Sequence, residues 1–284
     1  MPSPRSLYLA IAGHEIHVTE WGDPAAPAVV AWHGLARTGR DFDTLAAALA
    51  PRWRVICPDT IGRGLSSWSA APEADYTLPA YAGHTVEMLD RLGVEGCRWV
   101  GTSMGGALGM VAAAGPLKGR IERLVLNDIG PSLNPAAVER IRAYVGILPD
   151  FATMAEFETF VRMVYQPFGA LTGAEWRHLA ETSARRRDDG RVTVHYDPRA
   201  MEVFARHADA TDLWALYDAV DCPTLALRGA NSDLLLPEVF AEMGGRGPKA
   251  RLETIPGCGH APALNTPAQI ALVAEFLGVP LPRA

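Results

Sequence analysis

The stretch CRWVGTSMGGALGMVAAAG, residues 97–115, sets Ser103 between glycines and follows it with a run of small side chains. It admits two readings: a nucleophile presented on a strained strand-to-helix turn, or one polar residue in a glycine-rich bend. Gly101-Thr102-Ser103-Met104-Gly105 matches G-x-S-x-G, a pattern short enough to need its context. That context is present, because the motif directly follows the apolar CRWV and directly precedes a small-residue helical run. Strand, sharp turn and helix are what a nucleophile elbow requires. A side chain at Gly101 or Gly105 would collide where the strand and helix backbones approach each other. The first turn of the helix also directs backbone N–H groups at the site, which favours negative charge there. A phosphate-binding loop is disfavoured, since neither GxGxxG nor a following Lys-Ser/Thr pair is present.

Outward from the elbow the chain repeats a strand-then-helix rhythm. SLYLAIAGHEIHVTEWG, residues 6–22, alternates apolar and polar around Gly13 and predicts an antiparallel hairpin at a sheet edge. AVVAWHG (28–34), WRVICPD (53–59) and IERLVLND (121–128) read as buried strands, with helices expected over Tyr81 to Leu92 and Gly105 to Ala114. Buried strands alternating with helices predict a mostly parallel sheet covered on both faces. From Pro131 to Thr211 the rhythm stops. This segment is helical in pattern, richer in Phe, Tyr, Met and Arg, and punctuated by Pro149, Pro167, Gly169 and Gly190. CPTLALRG (222–229) then resumes the buried-strand pattern, followed by a helix near Glu238, the strand ARLETIPG (250–257) and a helix from Pro267 to Leu277. The expected organisation is an α/β core from 1–130 and 212–284, interrupted by a helical insertion at 131–211. In the insertion, Tyr144, Phe157, Met163, Tyr165 and Trp176 are candidates to line a pocket, although helical spacing reads first as the insertion's own core.

A serine hydroxyl becomes a useful nucleophile only when an oriented base takes its proton. Of the eight histidines, His260 in IPGCGHAPALNTP (255–267) follows the last predicted strand on a Gly-rich loop. That loop should face the strand ends. His33 reads as shaping its own tight loop, His84 lies within a helix pattern, and His195 and His207 belong to the insertion. The acid should come between serine and histidine, at a strand end. LALRGANSDLLLP (225–237) supplies Asp233 on a polar loop after a strand. Asp128 competes because it also ends a strand, but it reads more simply as a loop or hinge carboxylate beside Gly130-Pro131. Asp233 is therefore the expected acid. Backbone N–H groups of Leu35, after His33-Gly34, and of Met104, after the nucleophile, are expected to form an oxyanion hole.

Composition narrows the classes. A net charge of −6 argues against nucleic acid as a partner. Arg185-Arg186-Arg187 runs straight into Asp188-Asp189 and reads as a solvated helix end. Cys57, Cys97, Cys222 and Cys258 form no CxxC pair and three of them read as small buried hydrophobes, so neither a metal site nor a disulfide framework is expected. LYLAIA (7–12) is too short for a signal-peptide apolar region, and no run approaches the ~20 apolar residues of a spanning helix. The expectation is a cytoplasmic protein, with no membrane partner and no cofactor; nothing in the pattern addresses oligomeric state.

The sequence resembles the α/β-hydrolase superfamily, in its serine esterase and lactonase-like branch with a helical cap. The resemblance spans nearly the whole chain and rests on HGLAR (33–37), PDTIGRGLS (58–66), GTSMGG (101–106), LRGANSD (227–233) and GCGHAP (257–262). It implies an eight-stranded, mostly parallel sheet with the insertion as cap, Ser103, Asp233 and His260 as triad, and Leu35 and Met104 as oxyanion donors. The PDTIGRGLS loop carries Asp59, Gly62, Gly64 and Ser66 and is mainly structural in such proteins. Serine at the nucleophile position disfavours haloalkane dehalogenase and epoxide hydrolase chemistry, and Ala36 stands where the epoxide hydrolase loop has proline. Ala261-Pro262 after His260, in place of tryptophan, weakens a carbon–carbon bond hydrolase reading. The resemblance thus implies cleavage of small or medium carboxylic esters through an acyl-enzyme. Lactone or carbon–carbon cleavage by the same triad is the alternative, and a small-molecule receptor with a slow triad is the rival of another class.

Overall fold

The structure is a computed structural model that describes residues 3–144, 148–207 and 212–278. Its main sheet has eight strands in the order β1-β2-β4-β3-β5-β6-β9-β10. These are β1 (Arg5–Ile11), β2 (His14–Trp21), β3 (Ala28–Trp32), β4 (Arg54–Pro58), β5 (Cys97–Thr102), β6 (Ile121–Asn127), β9 (Thr224–Gly229) and β10 (Arg251–Ile255). The expected edge hairpin is β1–β2, antiparallel from Arg5↔Glu20 to Ile11↔His14, and β2 is antiparallel to β4. From β4 onward every pairing is parallel.

Alternate residues of one strand enter two separate cores, as the period of two demands. On β6, Leu124 and Leu126 face one side of the sheet and Val125 the other. The Val125 side is closed by α1 (Asp43–Leu49) and α11 (Pro267–Phe276), through Leu45, Leu49, Ile270 and Val273. The Leu124 side is closed by α3 (Leu78–Arg91) and α4 (Met104–Ala114). Burial on both faces explains why β3, β5, β6 and β9 are nearly continuous apolar runs.

Between β6 and β9 the chain forms α5 (Pro135–Tyr144), α6 (Met154–Val164), α7 (Gly173–Ser183) and α8 (Pro198–His207). Thr172 opens α7 with a capping box closed by Glu175. The segment is not wholly helical. Its β7 (Ala184–Arg186) and β8 (Val192–Val194) form a small antiparallel sheet, so the basic run is a strand and hairpin and not the helix end expected. The turn comes at Gly190, φ +83°, after Asp189, a hairpin signal that the charge pattern masked. Arg185 lies over the Trp68 ring at 4.9 Å, and Arg187 pairs with Asp150 and Asp189. Thr211, the expected end of the insertion, lies outside the described residues. No helix among the described residues is long and apolar enough to cross a membrane.

Candidate functional site

Ser103 sits at the tip of β5, at φ 53° and ψ −119°, a conformation few non-glycine residues adopt. The flanking glycines are required by space. A Cβ on Gly101 would lie 2.2 Å from the Gly105 carbonyl oxygen, and one on Gly105 would lie 2.1 Å from that of Trp32. Two tryptophans brace the turn from below. Trp32 and Trp99 stack at 5.4 Å, and Trp99 Nε1 donates to the Gly105 carbonyl at 2.9 Å.

His260, on the loop after β10, meets the elbow with Nε2 3.0 Å from Ser103 Oγ. Its loop is anchored from two directions: Asn127 Nδ2 donates to the Pro262 carbonyl at 2.8 Å, and Gly259 N–H donates to Pro167 at 2.7 Å. The other ring nitrogen, Nδ1, lies 2.7 Å from Oδ2 of Asp128. The structure thus brings Asp128, and not the expected Asp233, to the histidine. Asp233 is half-exposed and pairs with Arg140 at 2.6 Å. Asp128 is fully buried at the end of β6, at φ 54°, a left-handed conformation that aspartate tolerates better than most. Its Oδ1 accepts the Gly229 N–H at 2.7 Å and its Oδ2 also accepts the Ser232 hydroxyl at 2.6 Å. These contacts with Gly229, Ser232 and His260 fix the carboxylate's position and orientation. Ser232, one residue before the expected acid, thus belongs to the site in a role the sequence reading did not give it.

The His33-Gly34-Leu35 loop lies beside the elbow, with the Gly34 Cβ position 3.6 Å from the Ser103 Cβ. The Leu35 N–H donates to no protein group among the described residues, and Met104, first residue of α4, has no earlier helical carbonyl to bond. His33 holds the loop: Nδ1 donates to the Gly34 carbonyl at 2.7 Å, and Nε2 accepts the Thr60 N–H at 2.9 Å. Complete burial lowers its pKa to about 4, so the ring is neutral.

A cavity of about 880 Å³ opens over Ser103 and His260. The β6–β9 segment supplies much of its apolar wall through Tyr165, Phe168, Leu171, Leu179 and Phe204. Of the four pocket candidates whose side chains are described, Tyr165 alone is among the lining residues. Phe157 is buried against Phe151 and Phe160, Trp176 lies beneath Arg162, and Met163 is 71% exposed. The Tyr144 side chain lies outside the described residues. The four cysteines are buried free thiols, which burial pushes to higher pKa.

The model of the alpha/beta hydrolase family matches residues 29–272. Among curated proteins, the chain is 43% identical over 273 residues to the 3-hydroxybutyrate-oligomer hydrolase of Cupriavidus necator, covering 93% of this chain and 92% of that one. It is 28% identical to the sn-1-specific diacylglycerol lipase ABHD11 of Mus musculus, over 84% of this chain and 76% of that one. Among solved structures, an alpha/beta hydrolase from Novosphingobium aromaticivorans superposes with a TM-score of 0.85 at 34% identity, covering 98% and 99% of the two chains.

Proposed function

The chain belongs to the alpha/beta hydrolase family and is a hydrolase of that fold, and on this footing we propose that it cleaves carboxylic esters of short hydroxyacids through an acyl-enzyme on Ser103. The observation that carries the proposal is the relay from Ser103 Oγ through the two nitrogens of His260 to Asp128, at 3.0 and 2.7 Å, under an enclosing apolar cavity. In this reading Nδ1–H donates to Asp128, which leaves Nε2 free to take the Ser103 proton as Oγ attacks the ester carbonyl. The N–H groups of Leu35 and Met104 receive the negative charge that develops on the carbonyl oxygen. Protonated His260 then gives its proton to the departing alcohol, and a water repeats the sequence to release the acid. Asp128 fixes the imidazole tautomer and stabilises its cation. The segment between β6 and β9, residues 131–211, serves as the cap that sets substrate size. Similarity to a 3-hydroxybutyrate-oligomer hydrolase and to a diacylglycerol lipase supports ester chemistry, and the first supports a hydroxyacid substrate.

The test joins labelling to turnover. A phosphonate probe should add to Ser103, detected by intact mass, and 3-hydroxybutyrate oligomers should be hydrolysed with loss of activity in Ser103→Ala. No adduct on the wild-type chain would sink the proposal. Labelling without turnover across a broad ester panel would favour a small-molecule receptor instead.

A further inference from the structure

Four arginines line the cavity, and three are neutralised by carboxylates of the same wall. Arg37 grips Asp41 with Nε and Nη2 at 2.9 and 2.6 Å, Arg40 reaches Asp43 at 2.6 Å, and Arg140 reaches Asp233 at 2.6 Å. Arg63 differs. It is 1% exposed, and among the described residues no carboxylate pairs with it. Its Nε donates to the Leu35 carbonyl at 3.0 Å, and Nη1 to the Ile61 carbonyl at 2.9 Å and to the Tyr81 hydroxyl at 2.7 Å. Among the described residues the one hydrogen-bond partner of Nη2 is Met104 Sδ, at 3.9 Å. Tyr81, buried and also lining the cavity, accepts from Arg63, while its own O–H proton has no acceptor among the described residues. A buried cation without a counter-ion is costly, and neutral carbonyls offset that cost only in part.

We infer that Arg63 and Tyr81 form a subsite for a free carboxylate on the substrate, with Nη2–H and the tyrosine O–H as its donors. The inference rests on the ester-hydrolase reading above and adds which end of the substrate is read. Arg63 touches both Leu35 and Met104, the residues assigned to the oxyanion, so the bound carboxylate lies one short spacer from the scissile carbonyl. An ester whose alcohol is a 3-hydroxyacid has that spacing, since only CH(CH3)–CH2 separates its ester oxygen from its carboxylate. The subsite therefore selects cleavage at the carboxyl end, releasing one hydroxyacid monomer per turnover: the acyl–oxygen bond breaks, the alkoxide takes the His260 proton, and the carboxylate leaves unchanged.

The experiment compares kcat/KM for the linear 3-hydroxybutyrate dimer and its methyl ester in the wild type, Arg63→Gln and Tyr81→Phe. The wild type should prefer the free acid by about tenfold or more, the range of a charge-assisted hydrogen bond. Arg63→Gln should bring the ratio close to unity, and Tyr81→Phe should lower it chiefly through KM for the acid. If Arg63→Gln fails to fold, the wild-type ratio, Tyr81→Phe and calorimetric binding of butyrate against butyramide still decide. Equal wild-type kcat/KM on acid and methyl ester, or equal losses on both in Arg63→Gln, would overturn the subsite. Absence of both turnover and a Ser103 adduct would instead overturn the hydrolase reading beneath it, and butyrate binding lost in Tyr81→Phe would then support the subsite alone.

Discussion

His260 Nδ1 lies 2.7 Å from Asp128 Oδ2 although 132 residues separate the two in the chain. The contact forms because β6 lies directly beside β5 in the sheet, so the end of β6 is next to the elbow. Asp128→Asn keeps the shape but favours the wrong imidazole tautomer, and kcat should fall by about ten-thousandfold. Asp233→Asn removes only a half-exposed pair with Arg140, and activity should change by less than about fivefold. Steady-state kinetics on one ester, with both variants shown folded by circular dichroism, checks the assignment; the reverse ranking would restore Asp233 as the acid.

Chain order could not separate these two aspartates, because each follows a strand and each lies between Ser103 and His260. What distinguishes them is strand adjacency and the donors around the carboxylate, and both are set by tertiary packing. The elbow was legible because its constraint is local: steric demand at Gly101 and Gly105 acts across a few residues. The parallel sheet was legible because burial on both faces leaves continuous apolar runs. The β7–β8 hairpin was obscured by its own charges, and Arg63 by a loop motif that reads as structural. Nothing in the order of residues records which of the cavity's arginines meet a carboxylate and which do not.

Space around the elbow makes a second prediction. Gly105→Ala drives a methyl into the Trp32 carbonyl, 2.1 Å away, and backbone cannot yield as a side-chain tip can. The cost should exceed about 3 kcal/mol, lowering Tm by at least about 5 degrees for a chain of this size. Gly83→Ala is the matching control. Gly83 is exposed within α3 with nothing within 4 Å of the added carbon, so alanine should stabilise by about 0.5–1 kcal/mol. Calorimetry on both separates steric demand from helix propensity.

His33 predicts an acid limit on stability. Burial lowers its pKa from 6.5 to about 4. The unfolded chain therefore binds the proton more readily, so this residue's contribution is complete above pH 6.5 and lost as pH falls toward 4. The difference corresponds to roughly 3 kcal/mol across that window. Urea unfolding at pH 7 and pH 4.5 should show this loss in the wild type. His33→Gln should be less stable at pH 7 yet lose less between the two pH values. Parallel curves for the two proteins would mean that other groups account for the acid sensitivity.

His178 carries the opposite sign. It lies on α7 and lines the cavity, its Nε2 2.8 Å from Oδ2 of Asp43 at the start of α1. Asp43 also holds Arg40, whose charge acts against the imidazolium, yet the contact with Asp43 outweighs both that repulsion and partial burial and raises the His178 pKa. A raised pKa means that the folded state binds the proton more tightly. The stabilisation is therefore present below the unfolded value near 6.5 and disappears as pH rises through the folded value. His178→Gln should melt below the wild type at pH 6, with the gap closing by pH 9. The ring is partly exposed, so high salt should narrow the gap at pH 6 as well. A gap that persists unchanged at pH 9 would mean that the imidazole joins α7 to α1 by packing alone, with its charge playing no part.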